Sequence, residues 1–354
     1  MDRVLVVSSV HPPDDPRIRQ KLVETLRTEM RVDLAVKAPG PSDATGIGVQ
    51  LLRGGRLLRT MHASWKIVRG TFDVVSIHDP ELLPAAIAAA ALGREVVFDV
   101  HEDVPAQIRH KERIPALIRP LLAWWAALLL RVAERMVSVT LAEPGYHSLF
   151  AERHPVFPNT LGSDLPERTP VEQRSGLVYL GDITRQRGID LAVEAAGRLD
   201  PRPRLTLIGR CADGFRSELE AAARRVGVGV YFASYLPHRE ALQLMGQHRI
   251  GLSPLLDVPN YRHSLPTKLL EYLAMGLPVV ASDLPGGKAE LGDEPGVEWV
   301  LAGDVRAMAD GIQRLLDAPK RFAEAEAAAE SIRARFRWPT DEVAAFYTAT
   351  AESA

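Results

Sequence analysis

The chain has one cysteine, Cys211, in 354 residues. It cannot close an internal disulfide, and a cysteine-based metal site has no ligand set to draw on. That usage fits a reducing, cytoplasmic setting. Charge of one sign is equally scarce: 43 Lys and Arg against 45 Asp and Glu leave a net −2. A generally basic surface for nucleic acid is excluded, and any polyanion must be met by a local cluster. Long apolar runs are missing too. The most apolar, residues 120–130, carries Trp124 and Trp125 between Arg119 and Arg131 and is too short to span a bilayer. Its length and flanks favour a buried helix over a surface-seeking one. Tryptophan and arginine also suit lipid headgroups, so peripheral contact with the inner face of a membrane is the alternative. The apolar run at residues 4–10 is too short for a signal peptide and reads as a first strand. No G-x-G-x-x-G follows it, which disfavours a dehydrogenase. HExxH, EF-hand, P-loop and G-x-S-x-G runs are likewise missing, so the zinc, calcium, NTPase and serine-hydrolase classes have no support. No residue is assigned to a metal.

What is present is a regular alternation. At 354 residues two domains are expected, since a single core stops growing below that size. Short β-branched runs alternate with longer helical patterns, which predicts parallel sheets covered by helices. Strands are expected at residues 4–8, 32–36, 49–52, 74–77, 96–99 and 136–139, then at 177–180, 205–208, 230–232, 250–252, 279–282 and 299–301. Between the two series, residues 155–170 are rich in proline and polar residues and read as a linker. The expected domains are 1–165 and 172–335, each Rossmann-like, followed by a terminal segment, 336–354.

Chemistry concentrates where strands end. The run His263-Ser264-Leu265-Pro266-Thr267-Lys268 leads through Glu271 and Tyr272 to Gly276 and a strand. Ser264 can cap a helix, Pro266 fits its first turn, and Gly276 can end it in a left-handed conformation. Lys268, Glu271 and Tyr272 then share one face near a helix N-terminus, a setting that favours an anion. The alternative is an amphipathic helix with solvated charges. Residues 177–190 form a strand, then Gly181, Arg185, Arg187 and Gly188 before a helix. Cations at a helix start are unfavourable unless an anion is present, so a phosphate cradle explains them better than a solvated pair. After the first strand come His11, Asp14, Asp15 and Arg17, in a loop equally readable as a proline-stiffened turn. The 74–77 strand is followed by His78 and Asp79, and a helix cap alone could explain Asp79. The 96–99 strand runs into His101, Glu102 and Asp103, a titratable cluster where open sheets place function.

Pro266-x-Lys268-x-x-Glu271-Tyr272-x-Ala274-x-Gly276-x-Pro278-Val279-Val280 resembles the donor half-site of glycosyltransferase family 4, and Gly181 to Gly188 resembles its G-x-x-x-x-x-(Lys/Arg)-Gly loop. The resemblance extends over nearly the whole chain and implies a GT-B fold, α/β with two facing Rossmann-like domains and a terminal helix that returns to the first. It implies that Glu271 holds the donor ribose, that the helix carrying Lys268 faces the pyrophosphate, and that His101 meets the transferred sugar. Ser264, the backbone at Gly209, and Glu290 in the Gly286-Gly287-x-x-Glu290 run fall at donor-side positions; a plain turn would also explain Glu290. His11, Arg17, His78, Asp79 and Glu102 fall on the acceptor side, Glu102 either orienting His101 or meeting the acceptor. His263 stands where the family usually has another Glu that touches the sugar, which weakens any carry-over of donor-sugar specificity.

The expected activity is therefore transfer of a sugar, with retention and without a metal, from a nucleotide diphosphate sugar, UDP or GDP foremost. The expected acceptor is a glycan, a lipid-linked or glycolipid acceptor or a small molecule, in polysaccharide or glycoconjugate assembly. Arg185, Arg187 and Lys268 are the candidates for stabilising the departing diphosphate. A sugar-nucleotide epimerase of the same fold and a non-catalytic partner subunit are the rival readings. Donor hydrolysis and acceptor dependence would separate them.

Overall fold

The computed structural model describes residues 1–38, 48–110, 114–162, 164–262 and 264–353, with residues 110, 259 and 260 by backbone alone. His263 lies outside the described residues. The chain divides into two compact units, Met1–Asn159 with Trp338–Ala354, and Thr160–Arg337. The first boundary falls inside the proline-rich run.

In the first unit the strands are β1 Arg3–Val7, β2 Arg31–Lys37, β3 Gly48–Leu52, β4 Val74–Ile77, β5 Glu95–Val100 and β6 Ser138–Leu141. They form one parallel sheet in the order β3-β2-β1-β4-β5-β6. Both faces are covered, as a parallel sheet requires. Successive side chains of β1 serve opposite cores: Leu5 and Val7 pack with Ile67, Ala86, Phe98 and Leu130, while Val4 and Val6 pack with Ile18, Leu22, Leu34 and Tyr347. The helix Thr340–Glu352 belongs to the second face. It is fixed there by a Tyr347 hydroxyl 2.7 Å from Ser76 Oγ and by Trp338 Nε1 donating to Thr25 Oγ1 at 3.0 Å.

The second unit repeats the plan with β7 Leu177–Leu180, β8 Leu205–Ile208, β9 Val230–Phe232, β10 Ile250–Ser253, β11 Val279–Ser282 and β12 Val297–Val300. Their order is β12-β11-β10-β7-β8-β9, all parallel. The chain order reverses between β1 and β4 in one sheet and between β7 and β10 in the other. Such switch points, at the carboxyl ends of the strands, are where open parallel sheets leave a crevice.

Several expectations shift. The sixth strand begins at Ser138, because Met136 and Val137 close the end of the preceding helix through bonds from their N–H groups to Ala133 O, both 2.9 Å. The twelfth runs from Val297 to Val300, leaving Leu301 exposed. The largest correction concerns residues 120–130, expected to be buried. They lie in the helix Arg119–Ala133, whose core face is Ala123, Leu130 and Ala133. Trp124 and Trp125 are each 56% exposed, and Leu121 and Leu128 also face outward. A run without polar residues cannot show which side it turns inward, and close packing on the sheet took the small alanines.

Candidate functional site

In the second unit the geometry begins with two glycines. Gly181 follows β7 with φ +129° and Gly209 follows β8 with φ +146°. A Cβ on Gly209 would lie 2.0 Å from Gly181 O, so only glycine allows these backbones to meet. Gly188 has φ +68° and precedes the helix Ile189–Ala196; a Cβ there would strike Pro254 O at 2.0 Å. The loops after β7 and β10 are thereby pressed together at the switch point.

Two cations converge on that spot. Arg187 Nη1 and Lys268 Nζ lie 2.9 and 3.6 Å from where a Gly181 side chain would begin. Lys268 is buried, and its Nζ donates to the Tyr179 hydroxyl at 2.9 Å. That hydroxyl donates to Asp182 O at 3.0 Å. Burial, then the charge of Arg187, holds the Lys268 ammonium well below its usual range, while burial pushes the Tyr179 phenol up to about 12. Neither Arg187 nor Lys268 forms an ion pair among the described residues. Glu271 and Asp182 draw on Lys268 without an ion-pair contact, and burial with Arg187 prevails; two neighbouring basic groups with no carboxylate in contact are an arrangement that an anion would relieve.

Lys268 is the second residue of the helix Thr267–Ala274. Ser264 does not cap it, contrary to expectation. Pro266 disfavours helical backbone at Leu265, so the helix cannot begin earlier, and the Ser264 hydroxyl points to Tyr261 O at 3.5 Å. Gly276, at φ +69°, ends the helix as expected. Glu271 is buried, with Oε1 3.4 Å from His238 Nε2. Tyr272 is structural: its hydroxyl accepts from Leu180 N at 2.9 Å and donates to Leu252 O at 3.2 Å, joining β7 to β10. Gly251 leaves room for its ring.

Two candidates are not brought to this cluster. Arg185 stacks on Phe215 and pairs with Asp190 and Glu218, its side chain 60% exposed. Glu290 is exposed on the helix Pro285–Leu291, with its carbonyl bound by Arg335.

The first unit has its own cluster at the carboxyl ends of β1, β4, β5 and β6. Asp99, the fifth residue of β5, accepts from Arg17 Nη2 at 2.8 Å, Arg17 Nε at 3.0 Å, Thr140 Oγ1 at 3.0 Å and His101 Nε2 at 2.7 Å. Arg17 Nε also lies 3.0 Å from His101 Nε2; with Arg17 donating to Asp99 and the carboxylate able only to accept, the 2.7 Å contact assigns the His101 proton to Nε2 and leaves the Nδ1 lone pair for a ligand hydroxyl. Arg17 also donates to Phe157 O at 2.8 Å and stacks on Trp338. The Asp99 carboxyl is driven well below its usual range: burial opposes this, but Arg17 and His101 outweigh it. His101 is lowered by burial, which favours the neutral imidazole. His78 lies beside it, ring centroids 5.2 Å apart, and His11 at 5.8 Å. Asp15 accepts from His11 Nδ1 at 2.8 Å and from the N–H groups of Arg17 and Ile18, both 3.0 Å.

Asp79 does not serve as a helix cap. Its carboxylate accepts from Ser9 N at 2.6 Å and Ser8 Oγ at 2.9 Å, tying the loop after β1 to the end of β4. Nor does Glu102 orient His101; it is exposed, and Asp99 does the orienting. His78, Asp99 and His101 are the one trio among the described residues spaced to hold a metal ion. They do not fit one, because the Arg17 guanidinium already sits on the same carboxylate and would repel a divalent ion.

Sequence reasoning gave no role to Asp99, Tyr179 or Glu143. The first two had a signal, a polar group inside an apolar strand run. Glu143, after β6, had none; burial raises its carboxyl to about 7, with Arg17 opposing.

Residues 174–318 match the family described as Glycosyl transferases group 1. The chain is 29% identical over 193 residues to alpha-D-kanosaminyltransferase of Streptomyces kanamyceticus, covering 52% of this chain and 48% of that one. It is 30% identical over 192 residues to D-inositol 3-phosphate glycosyltransferase of Xylanimonas cellulosilytica, covering 52% and 45%. The chain thus spans about half the length of these relatives. Among solved structures, HepE of Anabaena in complex with UDP and glucose superposes with a TM-score of 0.75 at 17% identity, over 100% of both chains. That likeness is one of fold: GT-B, an α/β chain with two Rossmann-like domains.

Proposed function

We propose that this chain is a retaining glycosyltransferase of family 4 that uses a nucleotide diphosphate sugar. The observation that carries the reading is the convergence of Arg187 and Lys268 over Gly181, with no ion pair to either among the described residues. A diphosphate supplies the missing negative charge, and more of it as the sugar departs. In transfer, the bond from the anomeric carbon to the β-phosphate oxygen breaks and its electron pair stays on the diphosphate. The acceptor oxygen forms the new bond and its proton passes to the departing diphosphate. Fixed cations that meet the developing charge stabilise the transition state without reorganising. Glu271, a buried carboxylate three residues along the helix from Lys268, suits the ribose hydroxyls. Nδ1 of His101, aimed by Asp99, suits a hydroxyl of the transferred sugar.

The likeness to sugar transferases supports the donor class, and UDP or GDP is the proposed nucleotide. Two cations in place of a bridging metal make the reaction metal-independent in this reading. The proposed acceptor is a glycan, a glycolipid or a small molecule in polysaccharide or glycoconjugate assembly, met on the cytoplasmic side. Calorimetric titration with UDP-, GDP- and TDP-sugars, then product analysis with an acceptor panel, tests the proposal. Anomeric proton couplings in the product report retention. Nucleotide release that needs no acceptor and yields an altered sugar would point to an epimerase instead.

A further inference from the structure

The helices Arg56–Arg69, Leu83–Ala91 and Arg119–Ala133 pack on the same face of the first sheet, where Ala63, Ile67, Ala86, Ala89, Leu130 and Ala133 share one core. They therefore form one layer, and the sides they turn away from the sheet look in one direction. On a solvated surface those sides should be polar. Here they are apolar. The first helix turns out Leu58, Met61 and Trp65, spaced i, i+3 and i+7, with Trp65 65% exposed. The third turns out Leu121, Trp124, Trp125, Leu128 and Val132, spaced i, i+3, i+4, i+7 and i+11. Leu92 at the end of the middle helix is exposed as well. Trp65 lies on one helix and Trp124 and Trp125, ring centroids 5.1 Å apart, on another, with Leu83–Ala91 between them, so the exposed apolar residues share one layer.

Charge narrows what covers the patch. The helix Arg56–Arg69 has Arg56, Arg59, Lys66 and Arg69 and no acidic residue, and Arg119–Ala133 has Arg119 and Arg131 and none; Glu81 pairs with Arg56 and Glu134 lies 4.0 Å from Arg131, and the basic residues of the two helices still outnumber these carboxylates. The whole chain is net −2, so this basic excess is local. A symmetric contact between two copies would set like-charged rims against each other. Tryptophan bodies with basic flanks instead match the boundary between acyl chains and anionic headgroups. No described helix is long and apolar enough to cross a membrane, so the contact is a surface one.

We propose that this helix layer docks flat on an anionic lipid bilayer, with Trp65, Trp124 and Trp125 inserted at the headgroup level. The docking requires neither sugar donor nor turnover, so it stands or falls independently of the proposed transfer. The test is co-sedimentation of the full chain with vesicles of phosphatidylcholine alone or with phosphatidylglycerol, at low and high salt. Binding is expected to the phosphatidylglycerol vesicles, with a blue shift of tryptophan fluorescence and weakening by salt. W124S/W125S, and separately W65S, should each lower the partition coefficient about tenfold while circular dichroism stays unchanged. R69E/R131E should remove the preference for anionic lipid. Failure of the wild-type chain to bind phosphatidylglycerol vesicles would overturn the proposal, as would equal binding by the tryptophan variants. So would a wild-type dimer in vesicle-free solution that W124S/W125S converts to monomer, since a second copy would then be what covers the face.

Discussion

Lys268 Nζ donates to the Tyr179 hydroxyl at 2.9 Å, which places a buried ammonium at the end of β7 instead of letting it swing to solvent. The tyrosine comes from a strand and the lysine from a helix 89 residues later. Tyr179→Phe keeps the ring in the core and removes the acceptor for Lys268 together with the donor to Asp182 O. Nucleotide diphosphate affinity should fall by about 0.5 to 1.5 kcal/mol, the usual worth of one such bond. Titration with UDP or GDP measures it, and an unchanged melting temperature shows that the loss is local.

Glu271 and His101 lie in different units and are predicted to fail differently. Glu271→Ala removes a buried charged acceptor and should weaken donor binding by roughly 1 to 3 kcal/mol with the fold intact. His101→Ala should lower kcat and leave nucleotide affinity nearly unchanged, because no nucleotide contact is assigned to it. Equal loss of nucleotide binding in both variants would mean that His101 does not meet the transferred sugar alone.

The two sheets, their strands and the glycine-lined turn were legible because each rests on local pattern. β-branched runs fix strands, and Gly181, Gly188 and Gly276 stand where left-handed backbone is needed. Side-chain direction was not legible. Arg185 and Arg187 look equivalent in sequence, yet one is drawn outward by Asp190 and Glu218 while the other turns inward over Gly181. Asp79 reads as a cap until Ser8 and Ser9, some 70 residues earlier, claim its carboxylate. Asp99 reads as part of a strand until Arg17 arrives from another loop. Contacts between distant segments decide these cases, and no local pattern encodes them.

Glu143 should make stability depend on pH. Its carboxyl titrates at about 7 when folded, raised by burial from a value of 4.5. The folded state therefore binds the extra proton between these values, so stability falls as pH rises from about 4.5 to 7 and is level above. Glu143→Gln cannot ionise and should gain about 2 to 3 kcal/mol over wild type at pH 8, with no gain at pH 4. Urea unfolding of both proteins at the two pH values measures this, and equal gains at both would show that Glu143 is not the titrating group.

The central claim is that Arg187 and Lys268, and not Arg185, hold the diphosphate. Isothermal titration of UDP and GDP into the wild-type chain, Arg185→Ala and Arg187→Ala tests it most directly. Arg185→Ala loses exposed ion pairs and the stacking on Phe215, and should change affinity by less than about 0.5 kcal/mol. Arg187→Ala should cost about 1.5 to 3 kcal/mol, the range for a hydrogen bond to a charged group, and Arg187→Lys should keep most of the affinity if charge outweighs the planar fork. An Arg187→Ala variant that binds both nucleotides like the wild-type chain, with Arg185→Ala losing them, would contradict the account.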